Sequence, residues 1–196
     1  IYPDDRSAFI SVLQKRLAGE DIPPLYSFRV IDKTGKIKWI EENSVLISWE
    51  GKPAVLSIAS DITPRKESEQ KIIDSVTRYQ TLFESAGDSI FIIEKDVFVD
   101  CNQKTLELFN CSREDIIGQP PYVFSPTIQP DSQDSKEKAI EKINRAFAGK
   151  QQFFEWQHKK NDGTLFDAEV SLNVFEIGPE KFIQAIVRDV TQRKQA

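Results

Sequence analysis

The sequence predicts an α+β fold in which helices cover one face of a five-stranded antiparallel sheet. It also predicts that this unit occurs in tandem, with an incomplete first copy and a helical linker between the copies. Three observations support this prediction. Two short β-rich segments precede a run of helical segments, three strands of alternating polarity follow that run, and the final part of the pattern occurs twice in the chain. Strands and helices grouped in separate runs are typical of the α+β class.

The second, complete unit opens with two β-rich segments. Residues 89–93 and 97–101 are separated by a short polar turn, which is a hairpin signal. Residues 103–110 then carry apolar side chains at helical spacing. A Ser-x-x-acid capping box at residues 112–115 starts a short helix that ends at Gly118. We therefore expect a hairpin followed by two short helices.

A longer amphipathic helix follows a proline-rich loop. Asp134 stands three residues before Glu137, which is the pattern of a helix N-cap, and Gly149 follows the last apolar residue. The apolar residues at helical spacing are Ala139, Ile140, Ile143, Ala146 and Phe147. Such a stripe predicts that residues 134–149 form a helix packed against the sheet.

Three strands close the second unit. Residues 151–160 end at an Asn-Asp-Gly turn, in which glycine accepts the positive φ that a tight hairpin needs. In the next strand the apolar residues Phe166, Ala168, Val170, Leu172 and Val174 alternate with Asp167, Glu169, Ser171 and Asn173. Residues 182–188 alternate in the same way. A period of two predicts a sheet with one buried and one solvated face.

The closing part of this pattern is repeated at a fixed offset. Residues 28–35 correspond to residues 156–163, and residues 58–66 correspond to residues 186–194, in both cases 128 positions apart. This offset is too long for a solenoid repeat and indicates two related domains in one chain.

The repeat sets the expected domain boundaries. Residues 1–63 are predicted to be the C-terminal half of a first domain, residues 64–83 a linker helix, and residues 84–196 a complete second domain. By comparison with the second copy, the first lacks roughly 50 residues at its front. We expect a truncated first domain rather than a native half-domain, because three strands alone leave an edge and an apolar face uncovered.

The linker helix carries a possible pairing surface. Its apolar residues follow steps of four, three and four: Ile72, Val76, Tyr79 and Phe83. A short seam of this kind either packs on its own domain or joins two chains, and we expect a homodimer through the linker helices. At its start, Thr63 is expected to be the N-cap and Pro64 the first helical residue.

Several short motifs carry a resemblance to a known family. They are residues 2–6 (Tyr-Pro-Asp-Asp-Arg), residues 28–39, the Asp-x-Thr sequences at 61–63 and 189–191, residues 83–86, Asn102 and residues 112–118. In their order and spacing they resemble tandem PAS domains with C-terminal PAC segments, which are modules of prokaryotic sensor histidine kinases and related signalling proteins. The resemblance covers essentially the whole chain.

The resemblance implies a sensory module without enzymatic activity. Such a module detects a small ligand or a partner and relays a conformational signal through helical linkers to an output domain such as a histidine kinase. It also implies that the two Asp-x-Thr junctions, formed by Asp61 with Thr63 and by Asp189 with Thr191, pass strain from sheet to helix. Helix capping alone is the simpler alternative.

Composition argues against several other classes. The net charge of −5 offers no basic surface for nucleic acid. No apolar run approaches the roughly 20 residues of a membrane span, so we expect no membrane contact by this segment. Cys101 and Cys111 are too few for a disulfide framework and wrongly spaced for zinc. We therefore expect a reduced, cytoplasmic chain without a metal site.

No catalytic constellation is evident, because the single histidine, His158, has no partner that could orient it as a base. The candidate residues for a ligand pocket are Asn102, Tyr122, Phe154, Trp156, His158 and Phe166. Small-molecule pockets need a few convergent polar groups, and among these residues only Asn102, Tyr122 and His158 could supply them. A filled core is the simpler alternative.

Two alternative functions involve a cofactor or an enzyme. His158 as a haem ligand is one, but a tolerated polar residue at a strand end, beside Lys159 and Lys160, is favoured. By resemblance, haem-binding members place the ligand on the long helix, and the light-sensing branch has an Asn-Cys-Arg-Phe-type motif that neither cysteine reproduces. We expect no cofactor. A small α+β enzyme or carrier with a pocket near Trp156 and His158 is less favoured still.

Overall fold

The computed structural model describes residues 1–195, and the chain divides into two compact units, one of Ile1–Thr77 and one that starts at Arg78. The helices are α1 (Arg6–Leu17), α2 (Thr63–Glu84), α3 (Gln103–Phe109), α4 (Arg113–Ile116), α5 (Ser135–Phe147) and α6 (Thr191–Gln195). The strands are β1 (Leu25–Ile31), β2 (Ile37–Trp49), β3 (Lys52–Asp61), β4 (Ser89–Glu94), β5 (Val97–Cys101), β6 (Gln152–Lys159), β7 (Leu165–Ile177) and β8 (Glu180–Asp189). Short 3₁₀ turns cover Pro3–Asp5 and Pro121–Phe124.

The second unit is a five-stranded antiparallel sheet in the order β5-β4-β8-β7-β6, which confirms the predicted fold class. Strands β6, β7 and β8 form a meander, and β8 returns to pair with β4, where Phe91 lies opposite Ala185. Helix α5 follows its predicted N-cap, since the Asp134 carboxylate accepts a hydrogen bond from the Glu137 amide (3.0 Å). Its buried residues include Ile143, so its apolar stripe joins the core.

Strand β7 separates its two sets of side chains as predicted. On the core side, Phe166, Ala168, Val170 and Leu172 are buried. Asp167, Glu169, Ser171 and Asn173 alternate with them and keep partial exposure. Val174 keeps the phase of the strand but is 37% exposed, so the buried stretch of β7 ends at Leu172.

The first unit consists of α1 and a three-stranded antiparallel sheet in the order β1-β2-β3. Phe28 is buried and meets Phe9 of α1 edge to face, with ring centroids 4.7 Å apart. The guanidinium of Arg16, which is also buried, donates to the carbonyl oxygens of Ser44 and of Pro23 (2.7 Å to Pro23). Helix α1 is therefore tied to the sheet by both an aromatic contact and a buried charge with carbonyl partners.

One side of this smaller sheet stays uncovered. Among the described residues, β3 pairs only with β2, so its other edge is open. Leu56 and Ile58 on β3 are 54% and 70% exposed, and Val45 on β2 is 47% exposed. This matches the expectation that three strands alone leave apolar side chains in need of partners.

The two three-stranded meanders share one register. Phe28 pairs with Ile40 in β1 and β2, and Trp156 pairs with Ala168 in β6 and β7. Residues 40 and 61 pair in β2 and β3, and residues 168 and 189 pair in β7 and β8. The offset of 128 positions seen in the sequence thus holds for every one of these pairs.

The start of α2 corrects one prediction. Thr63 does not act as the N-cap: its hydroxyl accepts a hydrogen bond from the Trp39 amide of β2 (2.9 Å), and the helix already includes Thr63. The carboxylate of Asp61 instead accepts from the Thr63 amide (2.9 Å). Hydrogen bonds from Thr63 and Lys38 lower the pKa of Asp61 to about 2. The acid caps the helix, and the threonine ties it to the sheet.

The same arrangement recurs at the end of the second unit. The carboxylate of Asp189 accepts from the Thr191 amide (2.9 Å), and the Thr191 hydroxyl accepts from the Asp167 amide of β7 (3.1 Å). The Thr191 hydroxyl, like that of Thr63, therefore binds the sheet, and the aspartate caps the helix. Each threonine bridges the first turn of a helix to the start of a neighbouring strand.

Candidate functional site

An apolar cavity of about 50 Å³ lies in the second unit between the sheet and α5. All five strands of the sheet contribute to its wall, together with α5 and Pro121. The lining residues are Phe91, Ile93, Phe98, Pro121, Ala139, Lys142, Ile143, Phe154, Trp156, His158, Val170, Leu172, Ala185 and Val187. Most are aliphatic or aromatic, and the exceptions sit on α5 and β6.

His158 contributes its ring to this apolar wall. Its ring stacks on Phe166 (centroids 5.4 Å apart) and meets Phe109 edge to face (5.3 Å). Its Nδ1 lies 3.1 Å from the carbonyl oxygen of Phe124. Its Nε2 is buried and has no hydrogen-bond partner among the described residues. Burial lowers the pKa of His158 to about 4, so the imidazole is neutral at pH 7.

His158 lies next to the last residue of β6, Lys159, and is half-buried as a whole, so its position agrees with the prediction of a polar residue at a strand end. Its ring packs against the aromatic side chains of Phe109 in α3 and Phe166 in β7. A buried imidazole nitrogen without a partner is costly, and such a group calls for an explanation.

Trp156 forms the neighbouring part of the wall. It is 6% exposed, and its indole Nε1 donates to the Ser125 hydroxyl (2.9 Å), so its polar atom is satisfied away from the cavity. Phe154 meets it edge to face with centroids 5.7 Å apart. The ammonium groups of Lys138 and Lys142 lie over the two rings, 5.5 Å from Trp156 and 5.2 Å from Phe154. Of these groups, Lys142 and the two rings belong to the cavity wall.

Three of the six candidate pocket residues lie elsewhere. Asn102, Tyr122 and Phe166 are absent from the cavity wall, whereas Phe154, Trp156 and His158 line it. Phe166 lies behind His158 as its stacking partner. Tyr122 packs half-buried against the core, with the Lys136 ammonium 5.4 Å from its ring centroid. A ligand-binding role for the three lining residues stays a prediction.

Asn102 is a structural centre rather than a pocket residue. It is fully buried, and its Oδ1 accepts from the amides of Ile90 (3.0 Å) and Thr105 (3.1 Å). Its Nδ2 donates to the carbonyl oxygens of Phe83 (3.0 Å) and Asp88 (3.1 Å). One side chain thus caps α3 and joins it to the end of α2 and the start of β4. No donor of this amide is left for a ligand.

Sequence reasoning missed the residues that hold the loop before α5 onto the sheet. Gln129 is 3% exposed; it donates to the Ser135 hydroxyl (2.8 Å) and to the Gln157 carbonyl oxygen (3.1 Å), and it accepts from the Gln157 amide (2.9 Å). The Gln129 side chain thus bonds both backbone groups of Gln157 in β6, as a neighbouring strand would, next to His158. A glutamine in a proline-rich loop gives no sequence signal of such burial, because its partner lies 28 positions away.

The two cysteines behave as small core side chains. Cys101 is fully buried, and burial raises the pKa of its thiol to about 11. Cys111 is half-buried, and burial raises its pKa as well. Neither thiol ionises near neutral pH, so both side chains act as small packing residues.

The cavity does not fit a haem or a flavin. Sites for organic cofactors and drug-sized ligands occupy about 300 to 1,000 Å³, and this cavity measures about 50 Å³. The rings of Phe109 and Phe166 lie against His158, the single histidine of the chain. Among residues 1–195, there is also no cluster of three or more acidic, histidine or cysteine side chains that could hold a metal ion.

Fold and site together define the second unit as a small α+β domain with a small apolar cavity between its sheet and α5. The family model described as "PAS domain" matches residues 87–192, more than half of the sequence. The chain therefore belongs to the PAS domain family, and this unit is a regulatory, sensory domain.

Its curated relatives are sensor kinases and sensor proteins. The chain is 26% identical over 207 residues to the sensor protein FixL of Bradyrhizobium diazoefficiens, covering 98% of this chain and 38% of that protein. It is 27% identical over 149 residues to sporulation kinase A of Bacillus subtilis, covering 75% of this chain and 24% of that kinase. The chain thus spans well under half the length of these relatives.

Solved structures show the same fold. The PAS domain of an HTR-like protein from Haloarcula marismortui matches with a TM-score of 0.55 at 22% identity, covering 63% of this chain and 98% of that one. A PAS domain from Colwellia psychrerythraea matches with a TM-score of 0.52 at 21% identity, covering 60% of this chain and 98% of that one. Within the described part of the chain, no helix is long and apolar enough to cross a membrane.

Proposed function

We propose that the second unit senses a small molecule in its cavity and relays the change through α6 to an output domain such as a histidine kinase. One observation carries this proposal: β8 connects the cavity directly to the exit helix. Ala185 and Val187 of β8 line the cavity, and the strand ends at Asp189, which caps α6. A shift of β8 on ligand binding therefore moves the start of α6.

The exit helix is tied to the sheet at several points that support such a relay. The Thr191 hydroxyl holds the amide of Asp167. Arg193 forms an ion pair with Glu169 of β7, and the Lys194 ammonium lies 2.6 Å from the Glu155 carboxylate of β6. A change in sheet curvature thus reaches the first turn of α6 through three strands rather than through one loop.

A titration of the ¹⁵N-labelled chain with small neutral organic molecules tests the relay. We expect any molecule that shifts the amide resonances of Ala185 and Val187 also to shift those of Thr191 and Arg193. Replacing Thr191 by valine removes the hydroxyl with little change in shape, so it should weaken the response of Arg193 and leave that of Val187.

The matched control is Thr63→Val, the same substitution at the corresponding junction of the first unit, which should leave both responses intact. The relay is contradicted if Arg193 of the wild-type chain stays silent while Val187 responds. Ligand sensing itself is contradicted if no molecule in the set perturbs the β8 amides.

We further propose that residues 1–63 are the C-terminal, PAC-containing half of a first PAS domain, which the linker helix joins to the second. The shared register of the two meanders supports this proposal, as does the identical Asp-x-Thr junction at the end of each. An experimental structure in which β1–β3 pair in a different register would contradict it. The cytoplasmic location and the absence of nucleic-acid binding stay predictions.

The same signalling role makes α2 a candidate for self-association, and we propose a homodimer through this helix. Ile72, Val76 and Tyr79 are 65%, 49% and 54% exposed along its predicted seam. We expect the chain to sediment as a dimer and Val76→Asp to shift it to a monomer, because a charge in such a seam is desolvated on pairing. Thr77→Asp adds the same charge one residue away, off the seam, and should leave the dimer intact. A wild-type chain that sediments as a monomer would overturn this proposal.

A further inference from the structure

Two ion pairs lie next to each other on the solvated face of the second sheet. Arg188 of β8 binds the carboxylate of Asp88 through its Nε, which lies 3.1 Å from each oxygen, and through its Nη2 at 2.6 Å. Arg193 of α6 pairs with Glu169 of β7. Two acidic and two basic side chains thus balance each other at the exit of the unit.

The two ion pairs meet where β7 and β8 run side by side. Glu169 and Arg188 are direct partners in the register of these strands. Side chains that face each other in this way start about 4.5–5.5 Å apart, so a glutamate and an arginine can pair across the strands. Hydrogen bonds to Asp88 and, to a smaller extent, the charge of Glu169 raise the pKa of Arg188. Arg188 therefore has two carboxylates to choose from, and it donates to Asp88.

The two carboxylates belong to different ends of the unit. Asp88 directly precedes β4, and its carbonyl oxygen accepts from Asn102 Nδ2 (3.1 Å). The same Nδ2 donates to the carbonyl oxygen of Phe83 in the last turn of α2 (3.0 Å). Asp88 is thus tied to the end of the helix that enters the unit, whereas Glu169 holds α6, the helix that leaves it. Arg188 lies between these two connections.

We propose that Arg188 is a switch residue that couples the junction of α2 and β4 to the exit helix α6. While Asp88 holds Arg188, Glu169 is left to Arg193, and α6 stays tied to β7. When Asp88 moves away, Arg188 pairs with Glu169 and displaces Arg193, which frees α6 from the sheet. A change at the α2–β4 junction then reaches α6 without any ligand in the cavity, so this coupling goes beyond the sensing function proposed above.

The surroundings of Glu169 explain why Arg188 wins once it is free. The side chain of Glu169 is only 19% exposed, which restricts the directions from which a cation can approach it. Arg188 already stands on the neighbouring strand, in register with Glu169. Arg193 is 64% exposed and reaches Glu169 from a five-residue helix, so its pairing also has to order that helix. The cation on the sheet loses less conformational freedom than the cation on the helix.

Asp88→Asn in the full chain tests the switch, because asparagine keeps the shape of the side chain and removes the charge that holds Arg188. Pairing of each arginine is followed by ¹⁵N NMR through rotation about the Cζ–Nη bonds, which an ion pair slows. We expect the population of the Glu169–Arg193 pair to fall about two- to fivefold, the range that exposed ion pairs span. Arg193 should rotate faster than in the wild type, while Arg188, now on Glu169, stays slow. Low ionic strength keeps both pairs unscreened.

The double variant Asp88→Asn/Arg188→Gln separates a switch from a merely structural ion pair. Without a guanidinium at position 188, nothing competes for Glu169, so Arg193 should return to its slow, wild-type rotation. Both variants lack the Asp88 carboxylate, so a general loosening of β4 would affect Arg193 alike in the two. Glu141→Gln is the control, since it breaks the exposed ion pair with Arg145 of α5 (3.1 Å) and should leave Arg193 unchanged.

Three outcomes would each overturn the proposal: an Arg193 that rotates freely in the wild type, an Arg193 that stays slow in Asp88→Asn, or an Arg193 that stays fast in the double variant. None of these bears on ligand sensing, which is read from the response of the Val187 amide to added molecules. Conversely, a wild-type chain that responds to no molecule can still show the rescue of Arg193, so the two proposals fail separately.

Discussion

Replacing Asn102 by alanine is expected to lower the free energy of unfolding of the second unit by about 4 kcal/mol, because several buried partners lose their hydrogen bonds at once. The variant leaves the amide of Ile90 and the carbonyl oxygens of Phe83 and Asp88 without the bonds that Asn102 makes to them. It also removes the N-cap of α3, which is typically worth about 1 kcal/mol. Urea unfolding followed by the indole resonance of Trp156 measures the change.

Asn144→Ala is the matched control for this substitution. Asn144 is exposed in the last turns of α5, so the same loss of an amide should change stability by less than about 0.5 kcal/mol. Asn102→Ser, which retains a capping oxygen but no amide donor, should fall between the two. A loss below about 1 kcal/mol in Asn102→Ala would show that the four bonds are not formed together.

Acidification from pH 7 to pH 4 is expected to remove roughly 3 kcal/mol of stability through His158 alone. Burial lowers the pKa of this histidine from the ordinary 6.5 to about 4 in the folded unit. Between these two values the unfolded chain binds a proton that the folded chain does not. The contribution is therefore complete above pH 6.5 and is lost as the pH falls toward 4, at up to about 1.4 kcal/mol per pH unit.

His158→Phe should abolish this pH dependence of the free energy of unfolding, since the chain contains no other histidine. Carboxylates contribute in a lower window: the depressed pKa of Asp61, about 2, gives stability that is present above its ordinary value of 3.8 and lost below it. Unfolding measured between pH 7 and pH 5 thus isolates the histidine. If the free energy of unfolding changes with pH equally in the wild-type chain and in His158→Phe over this range, the neutral imidazole in the folded unit is contradicted.

The fold could be predicted because its signals are local or repeated. The alternation of apolar and polar residues along β7 indicates which side chains are buried, whichever element packs against the strand. The capping patterns before α4 and α5 lie within four residues of the helices they start, and both form as predicted. Residues that lie 128 positions apart in the sequence occupy the same register positions in the two meanders. This follows because similar strand sequences pair alike and turn at corresponding residues.

The site was only partly predictable, because its decisive contacts join distant segments. The alternation along β6 puts His158 on the same side as Phe154 and Trp156, but its contacts with Phe109 and with the Phe124 carbonyl oxygen, 34 positions away, leave no signal in the neighbouring sequence. Asn102 was expected at the pocket on the strength of its polarity, yet its partners are backbone groups of three separate elements. Thr63 fits a capping pattern locally, but its hydroxyl faces β2, 24 positions back.

The most direct test of this account is the ¹⁵N spectrum of the imidazole nitrogens of His158, which the presence of a single histidine makes unambiguous. At pH 7 in the folded chain we expect a neutral ring with the proton on Nδ1 and a bare, acceptor-type Nε2. That state would show that the aromatic packing holds the imidazole neutral and that the Phe124 carbonyl oxygen selects its tautomer. An imidazolium at pH 7, or a neutral ring with the proton on Nε2, would contradict it.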